Sequence, residues 1–360
     1  MSALFSPLAL RGIELANRVV ISPMCQYSAQ NGCATAWHHA HLGSLALSGA
    51  GLLCLEATAV RPEGRISPQD LGLWNDQTEE ALAKVVEMVR AVSPIKLAIQ
   101  LGHAGRKASM PAPWRGGEVV PPAAGGWQPV APSALPYAGA YGRPRELDAD
   151  EIGAVIEAFA DSARRAARIG FDTVEVHAAH GYLLHQFLSP ISNQRQDEFG
   201  GSLANRMRLP LAVFDAVRTA FPQARAVGVR VSATDWVEAE PSWALADTIA
   251  LAHELKARDC DWIDVSSGGL SPAQRIHPAP GYQLPLAQAV REATGLTTMA
   301  VGLITAPQQA EAVLAQGQAD LVALGRSFLF DPHWAWRAAV ALGADIPVPP
   351  QYQRALPVQR

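Results

Sequence analysis

Short runs of Val, Ile and Leu recur along the chain, and each is followed by a longer stretch in which apolar residues have helical spacing. These runs have the length of strands and almost no polar interruptions, which predicts strands buried on both faces. Eight are found: RVVISPM from Arg18, GLLCLEAT from Gly51, KLAIQLGH from Lys96, TVEVHAA from Thr173, AVGVRVSA from Ala226, WIDVSSG from Trp262, TTMAVG from Thr297 and DLVALGR from Asp320.

The stretches between these runs predict helices. DADEIGAVIEAFADSARRAARIG, for example, opens with acidic residues and ends with arginines and Gly170, as the helix dipole favours. Strands that alternate with helices form a parallel sheet covered on both faces, and eight such units predict an α/β fold of the (β/α)₈ TIM-barrel type. An open, doubly wound sheet is the alternative.

One interval interrupts this alternation. Residues 104–147 are rich in Pro, Gly and Trp and show no helical period. So long a segment predicts a loop or hairpin that caps the barrel after the third strand. No linker separates a second domain, so we expect a single domain over 1–360, with a C-terminal tail near 345–360.

Polar residues interrupt the apolar pattern mainly where the strands end. In a barrel these ends share one rim, where active sites are built. Few of the side chains are carboxylates, which favours binding of an anionic organic molecule over a metal-centred reaction. They are Cys25, Tyr27, Glu56, Thr58, Gln100, His103, His177, His180, Arg230, Ser266, Ser267 and Arg326.

The last two strands predict a phosphate site. Gly302 ends the seventh strand, and Gly325 and Arg326 end the eighth. Barrels commonly bind phosphate here through backbone N–H groups and a helix N-terminus, and an arginine can add a forked contact. No G-x-G-x-x-G follows a strand, so a Rossmann dinucleotide site is not predicted.

Composition narrows the possible partners and location. The net charge is −4 and the pI about 6.2, which leaves no basic excess for nucleic acid or an anionic membrane. The four cysteines show neither a disulfide framework nor metal-binding spacing. Neither a secretory leader nor an apolar run of membrane-spanning length is seen, so we expect a cytoplasmic protein with reduced thiols.

Four segments resemble the old yellow enzyme family of flavin ene-reductases: ISPMCQYSA, QLGHAGRKA, HAAHGYLLHQFLSPISNQRQDEFGGSLANRMR and ADLVALGRSFLFDPHW. The resemblance extends over essentially the whole chain. Cys25 places the sequence nearest the thermophilic-like subgroup that includes xenobiotic reductases. Phe199 departs from the usual Tyr before Gly-Gly, which should matter little.

The resemblance implies non-covalent FMN in the barrel. Arg230 would face the N1/C2=O side of the flavin, where its positive charge would favour the reduced cofactor. The phosphate would lie at the end already predicted from the last two strands. The implied cofactor-binding residues are Ser22, Pro23, Met24, Cys25, Ala57, Gln100, Arg230, Gly302, Gly325 and Arg326.

The resemblance also implies a reaction. His177 and His180 would hydrogen-bond the oxygen of an activated alkene while hydride moves from the flavin to its β-carbon, and Tyr182 would protonate the α-carbon. Tyr27 would line the substrate pocket. The substrates would be electron-poor alkenes, such as α,β-unsaturated carbonyls and maleimides, and nitro compounds. They would alternate with NADPH or NADH in one pocket, which gives ping-pong kinetics.

The C-terminal Tyr-x-Arg implies a further substrate contact. In the subgroup this segment reaches the neighbouring subunit's site, so Arg354 would do so here and the protein would be a homodimer or homotetramer; a frayed tail is the alternative.

Two other functions remain open at this stage. In a barrel hydrolase or lyase, His177 and His180 would bind a metal with a third ligand, whereas the resemblance implies no metal. A non-catalytic FMN-binding or scaffold protein is the other alternative.

Overall fold

The computed structural model describes residues 2–355 and contains a closed barrel of eight parallel strands. Every predicted strand is present, and the barrel closes where Val322 of the last barrel strand pairs with Val19 of the first. The predicted TIM barrel is thereby confirmed, and the open sheet is excluded. The barrel strands are β3 (Val19–Ile21), β4 (Leu52–Ala59), β5 (Lys96–Gly102), β8 (Thr173–Ala178), β9 (Val227–Ser232), β10 (Trp262–Ser266), β11 (Thr297–Ala300) and β12 (Leu321–Leu324).

Helices surround the barrel. Asn75 and Asp148 cap the first turns of the second and third helices by accepting hydrogen bonds from backbone N–H groups. The third helix has the acidic first turn and the arginines in its last turn that the sequence predicts. None of the helices in residues 2–355 has the length and apolarity needed to span a membrane. The helices are α1 (Ala36–Ala46), α2 (Asp76–Val92), α3 (Ala149–Arg168), α4 (Leu183–Leu188), α5 (Leu203–Ala220), α6 (Leu245–Lys256), α7 (Leu284–Thr294), α8 (Pro307–Ala315), α9 (Arg326–Phe330) and α10 (Trp334–Leu342).

A small hairpin, β1 (Leu8–Leu10) and β2 (Ile13–Leu15), precedes the barrel. Its Leu10 and Leu15 are buried in an apolar cluster with Val20, Leu52 and Trp262 from the barrel strands. The pattern of alternating strands and helices did not reveal this element, because each of its strands has only three residues. It extends the core at the end of the barrel opposite the strand tips.

The segment after β5 contains only 3₁₀ turns and two short strands, β6 (Val130–Ala131) and β7 (Arg145–Glu146). These two strands pair in parallel, so the segment is a loop rather than a hairpin. Arg106 Nη2 donates to the Leu270 carbonyl at 2.8 Å, and Trp127 Nε1 donates to the Glu63 carbonyl at 2.8 Å. The loop is therefore fastened to chain segments that follow β10 and β4.

Candidate active site

The paired histidines lie where β8 ends. His177 is the fifth residue of the strand, and His180 follows it in the left-handed region with φ of 57°. Gly181 continues the turn at φ of 73°, where glycine carries no Cβ penalty. This turn brings the two imidazole centroids to 5.2 Å at an interplanar angle of 83°. The sequence-predicted pair therefore shares one site.

Hydrogen bonds set the orientation of both imidazoles. His177 Nδ1 accepts from the Ala179 N–H at 3.3 Å, so its proton is on Nε2. His180 Nε2 lies 2.8 Å from Ser266 Oγ, and its backbone N–H donates to Ser232 Oγ at 2.9 Å. Ser266 Oγ also lies 3.4 Å from Gln283 Oε1, which is a longer contact than the one to His180; when Ser266 donates its proton to Nε2, His180 carries its own on Nδ1. Each ring then has one N–H left for a ligand.

Both imidazoles are neutral in this environment. Burial, and then the positive charge of Arg230, hold the pKa values of His177 and His180 well below the usual range. A neutral imidazole can donate a hydrogen bond to an oxygen without the solvation demand of an imidazolium. The pair is therefore suited to stabilising charge that develops on a ligand oxygen.

Tyr182 lies beside the pair and is the residue preceding α4. Its ring centroid is 5.0 Å from that of His177, at an interplanar angle of 78°. Burial raises the phenol pKa well above its ordinary value, so Tyr182 carries its proton at neutral pH. The protonated Tyr182 side chain therefore lies next to the two imidazole hydrogen-bond donors.

Arg230 is buried on β9, opposite His177 in the strand register. Its Nε lies 3.0 Å from a carboxylate oxygen of the fully buried Asp264 on β10. Glu175, two residues before His177, is also buried and accepts a hydrogen bond of 2.7 Å from Gln100 Nε2. Two acids and one fixed cation thus occupy the interior directly below the histidines.

The segment after β3 forms one edge of the site. The Ser22 N–H donates to the Leu324 carbonyl at 3.0 Å, and its buried hydroxyl makes no hydrogen bond within residues 2–355. Burial raises the pKa of the Cys25 thiol, so the thiol stays protonated. Tyr27 adopts φ of 49° and contacts Trp114 of the capping loop, with ring centroids 5.6 Å apart.

Gly302, Gly325 and Arg326 lie at the ends of β11 and β12, as the sequence predicts. Gly302 has φ of 123°, and Gly325 is the residue preceding α9, whose first residue is Arg326. Met24 lies close to Gly325, because a Cβ added there would lie 3.4 Å from the Met24 sulfur. A cavity of about 540 Å³ lies beside Arg326. The predicted phosphate end therefore adjoins the edge formed by Ser22 and Met24.

These groups fit FMN. The buried Ser22 hydroxyl has no hydrogen-bond partner among the described residues, and Arg230 supplies positive charge on the same rim as the glycines and Arg326. Ala57 pairs with Gln100 across a register shift between β4 and β5, which brings both to this rim. These groups offer hydrogen bonds and positive charge, and few of them are free carboxylates. They therefore suit a flat polar ring that carries an anionic tail.

Arg354 is not brought to this chain's own site. It is exposed in the 3₁₀ turn at Pro350–Ala355, and the neighbouring Tyr352 packs on Trp336 with ring centroids 5.7 Å apart. Tyr352 also lines a cavity with Gly51 and Lys96, which stand where β4 and β5 begin. The tail therefore lies toward the end of the barrel opposite the histidines.

Three other rim residues have structural partners. Glu56 lies 3.3 Å from His38 Nε2 and accepts from the Gln26 N–H at 2.9 Å. Thr58 Oγ1 donates to the Glu56 carbonyl, and His103 Nδ1 accepts from the Gly105 N–H. These contacts give each side chain a partner within the protein, although His103 Nε2 is buried without a hydrogen bond within residues 2–355. Within residues 2–355 no three His, Cys, Asp or Glu side chains form a metal-binding group, so the hydrolase alternative gains no support.

Reasoning from the sequence missed three members of the site: Glu175, Asp264 and Lys107. The acids stand inside apolar strands, where a buried charge is itself a signal that a partner is needed. Lys107 stands in the quoted QLGHAGRKA segment, yet nothing local shows where its ammonium reaches.

Comparison with known proteins gives consistent matches over the whole chain. A family model described as NADH:flavin oxidoreductase / NADH oxidase family matches residues 3–344. The NADPH dehydrogenase of Geobacillus thermodenitrificans (strain NG80-2) is 43% identical over 355 residues, covering 98% of each protein. That of Listeria innocua serovar 6a is 45% identical over 359 residues, covering 99% of each. Morphinone reductase in complex with tetrahydroNAD superposes with a TM-score of 0.78 at 32% identity, covering 98% of this chain and 94% of that one.

Proposed function

Because this chain belongs to the NADH:flavin oxidoreductase / NADH oxidase family, the old yellow enzymes, and is an FMN-dependent NAD(P)H oxidoreductase, we propose that it reduces electron-poor alkenes. The observation that carries the proposal is the pair of neutral imidazoles, His177 and His180, with Tyr182 against the first of them. The two imidazoles can donate hydrogen bonds to a carbonyl or nitro oxygen, and the protonated Tyr182 lies beside them. This combination suits an alkene conjugated to such a group.

Ten residues would hold FMN. Arg230 would bind the N1/C2=O side, and Gly302, Gly325 and Arg326 the phosphate. Ser22, Pro23, Met24, Cys25, Ala57 and Gln100 would contact the ring system. FMN held by these residues would supply the redox chemistry, accepting a hydride from NADPH or NADH and donating one to the β-carbon of the alkene.

The imidazoles act on the substrate oxygen. His177 would donate from Nε2 and His180 from its second nitrogen to the same carbonyl or nitro oxygen. Negative charge grows on that oxygen as the β-carbon gains hydride, so these hydrogen bonds are stronger in the transition state than in the bound substrate. Removing one such donor costs about 10²–10³ in rate in other enzymes.

Tyr182 would complete the reduction by protonating the α-carbon. Its raised pKa keeps the proton available at neutral pH, and the carbanion-like carbon is basic enough to take it. Tyr27 would form a wall of the pocket, where its ring packs edge-to-face against Trp114. Nicotinamide and alkene would use the same pocket in turn, which predicts ping-pong kinetics.

Two features of the chain support proposals about its assembly and location. Arg354 lies away from this chain's own histidines, so contact with a substrate requires a neighbouring subunit in a homodimer or homotetramer. All four cysteines are free, which fits a reducing cytoplasm.

Spectroscopy of the purified protein tests the proposal. We expect a yellow protein with a flavin spectrum that NADPH bleaches anaerobically and 2-cyclohexenone restores. A yellow protein without turnover would favour the non-catalytic alternative, and a colourless one would refute the cofactor assignment.

A double variant tests the site. Replacing both histidines, His177→Ala with His180→Ala, should leave FMN bound and weaken binding of a phenol such as 4-nitrophenol by about 100-fold or more, since each charge-assisted hydrogen bond contributes about 1.5–3 kcal/mol. Unchanged phenol affinity would refute the role of the pair.

A further inference from the structure

Lys107 reaches the centre of the site from the loop after β5. It ends the 3₁₀ turn Gly105–Lys107, and its Nζ donates to the His180 carbonyl at 3.0 Å and to the Gly269 carbonyl at 2.9 Å. One ammonium group therefore joins the loops that follow three different barrel strands, β5, β8 and β10. The catalytic roles proposed above do not use it.

The two carbonyls belong to backbone segments in direct contact. A Cβ on Gly181 would lie 2.1 Å from the Gly269 carbonyl oxygen, and one on Gly269 would lie 2.6 Å from His180 Cα. No side chain can stand between the segments. The carbonyls instead converge on the Lys107 ammonium, which satisfies two acceptors with charge-assisted hydrogen bonds.

The conformation that Lys107 holds is a strained one. His180 has φ of 57°, which a residue with a Cβ adopts at an energetic penalty unless its surroundings compensate. The same residue directs an imidazole toward Ser266 and the site. Rotation of the His180 peptide would break the bond to Lys107 and move that ring.

Two aromatic rings hold the ammonium in place. Lys107 Nζ lies 4.6 Å from the ring centroid of Tyr137 in the capping loop and 5.4 Å from that of Tyr182, within the range of cation–π attraction. Its positive charge also contributes to the lowered pKa values of both histidines. Lys107 is thus linked to each member of the proposed site.

We propose that Lys107 is a positioning residue: by joining the carbonyls of His180 and Gly269 it fixes the left-handed turn that aims the His180 imidazole at the substrate oxygen. The inference rests on the proposed function and adds a residue that acts through His180. It predicts that Lys107 is energetically coupled to His180 much more strongly than to His177, because only the His180 backbone is bonded to it.

A double-mutant cycle tests this, with 4-nitrophenol binding to the FMN-loaded protein as the readout. Lys107→Met should weaken binding about tenfold in the wild-type and His177→Ala backgrounds, and less than about twofold in the His180→Ala background. Lys84→Met, at an exposed lysine of α2, should change nothing. Should the methionine variant not fold, Lys107→Gln replaces it, because glutamine keeps a polar end but has a shorter side chain and no positive charge.

The outcomes separate this inference from the proposed function. Unchanged affinity in the Lys107 variant, or an equal tenfold loss with and without His180, would overturn the positioning role. If His180→Ala alone leaves phenol binding unchanged, the role of the histidine itself is wrong.

Discussion

Replacing Glu175 by Gln should make the protein less sensitive to alkaline pH. Burial, followed by the negative charge of Asp264, raises the pKa of Glu175 from 4.5 to about 7, and Arg230 only partly offsets this rise. In the unfolded chain the carboxyl regains its ordinary pKa. Between pH 4.5 and pH 7 the folded protein therefore binds more protons than the unfolded chain, so stability falls as pH rises through that window.

The size of the effect follows from the same values. A rise from 4.5 to about 7, at about 1.36 kcal/mol for each pH unit, corresponds to about 3 kcal/mol of stability lost by pH 8. Glutamine has the shape of the protonated acid, and its carbonyl oxygen still accepts from Gln100. The variant should exceed the wild type by about 1 kcal/mol at pH 5 and by about 3 kcal/mol at pH 8.

Urea unfolding of the FMN-saturated proteins, followed by far-UV circular dichroism from pH 5 to pH 8, measures this difference. Glu87→Gln, at an exposed acid of α2, is the matched control and should show no pH-dependent gain. A Glu175→Gln gain that is the same at pH 5 and pH 8 would show that the buried carboxyl does not titrate in this range, and the electrostatic account of the barrel interior would be wrong.

Three further predictions concern the site itself. Tyr182→Phe should lower kcat for 2-cyclohexenone by about 100-fold or more while 4-nitrophenol binding changes little; a steady-state kcat equal to the wild type would remove Tyr182 as proton donor. Ending the chain after Pro349 should raise the KM for the alkene without loss of flavin, and an unaltered KM would exclude Arg354 from substrate binding. Gly181→Ala should lower the melting temperature by several degrees, because its Cβ would lie 2.1 Å from a backbone oxygen, whereas Gly201→Ala, also at positive φ but with nothing within 4 Å, should lower it less. Equal melting temperatures would show that the contact with Gly269 yields easily.

The barrel and the place of its site could be predicted from local patterns. Each barrel strand is buried on both faces, because helices cover one face and the other faces the barrel interior. Each strand therefore appears in the sequence as a continuous apolar run. The strand tips converge because parallel strands share one edge, so His177 and Arg230, 53 positions apart in the chain, are register partners. The resemblance to old yellow enzymes added the cofactor and the roles, which the pattern alone could not supply.

Contacts between distant segments were decided only by the tertiary structure. Nothing near Arg230 in the sequence indicates that Asp264 is its partner, and nothing near Lys107 indicates the carbonyls of His180 and Gly269. Glu56 lies in the C-terminal half of β4, near the same rim as the other polar residues, yet it pairs with His38. Periodicity in the sequence shows which face of an element is buried. The partner of a buried charge depends instead on closure of the barrel, which brings together strands and loops that are remote in sequence.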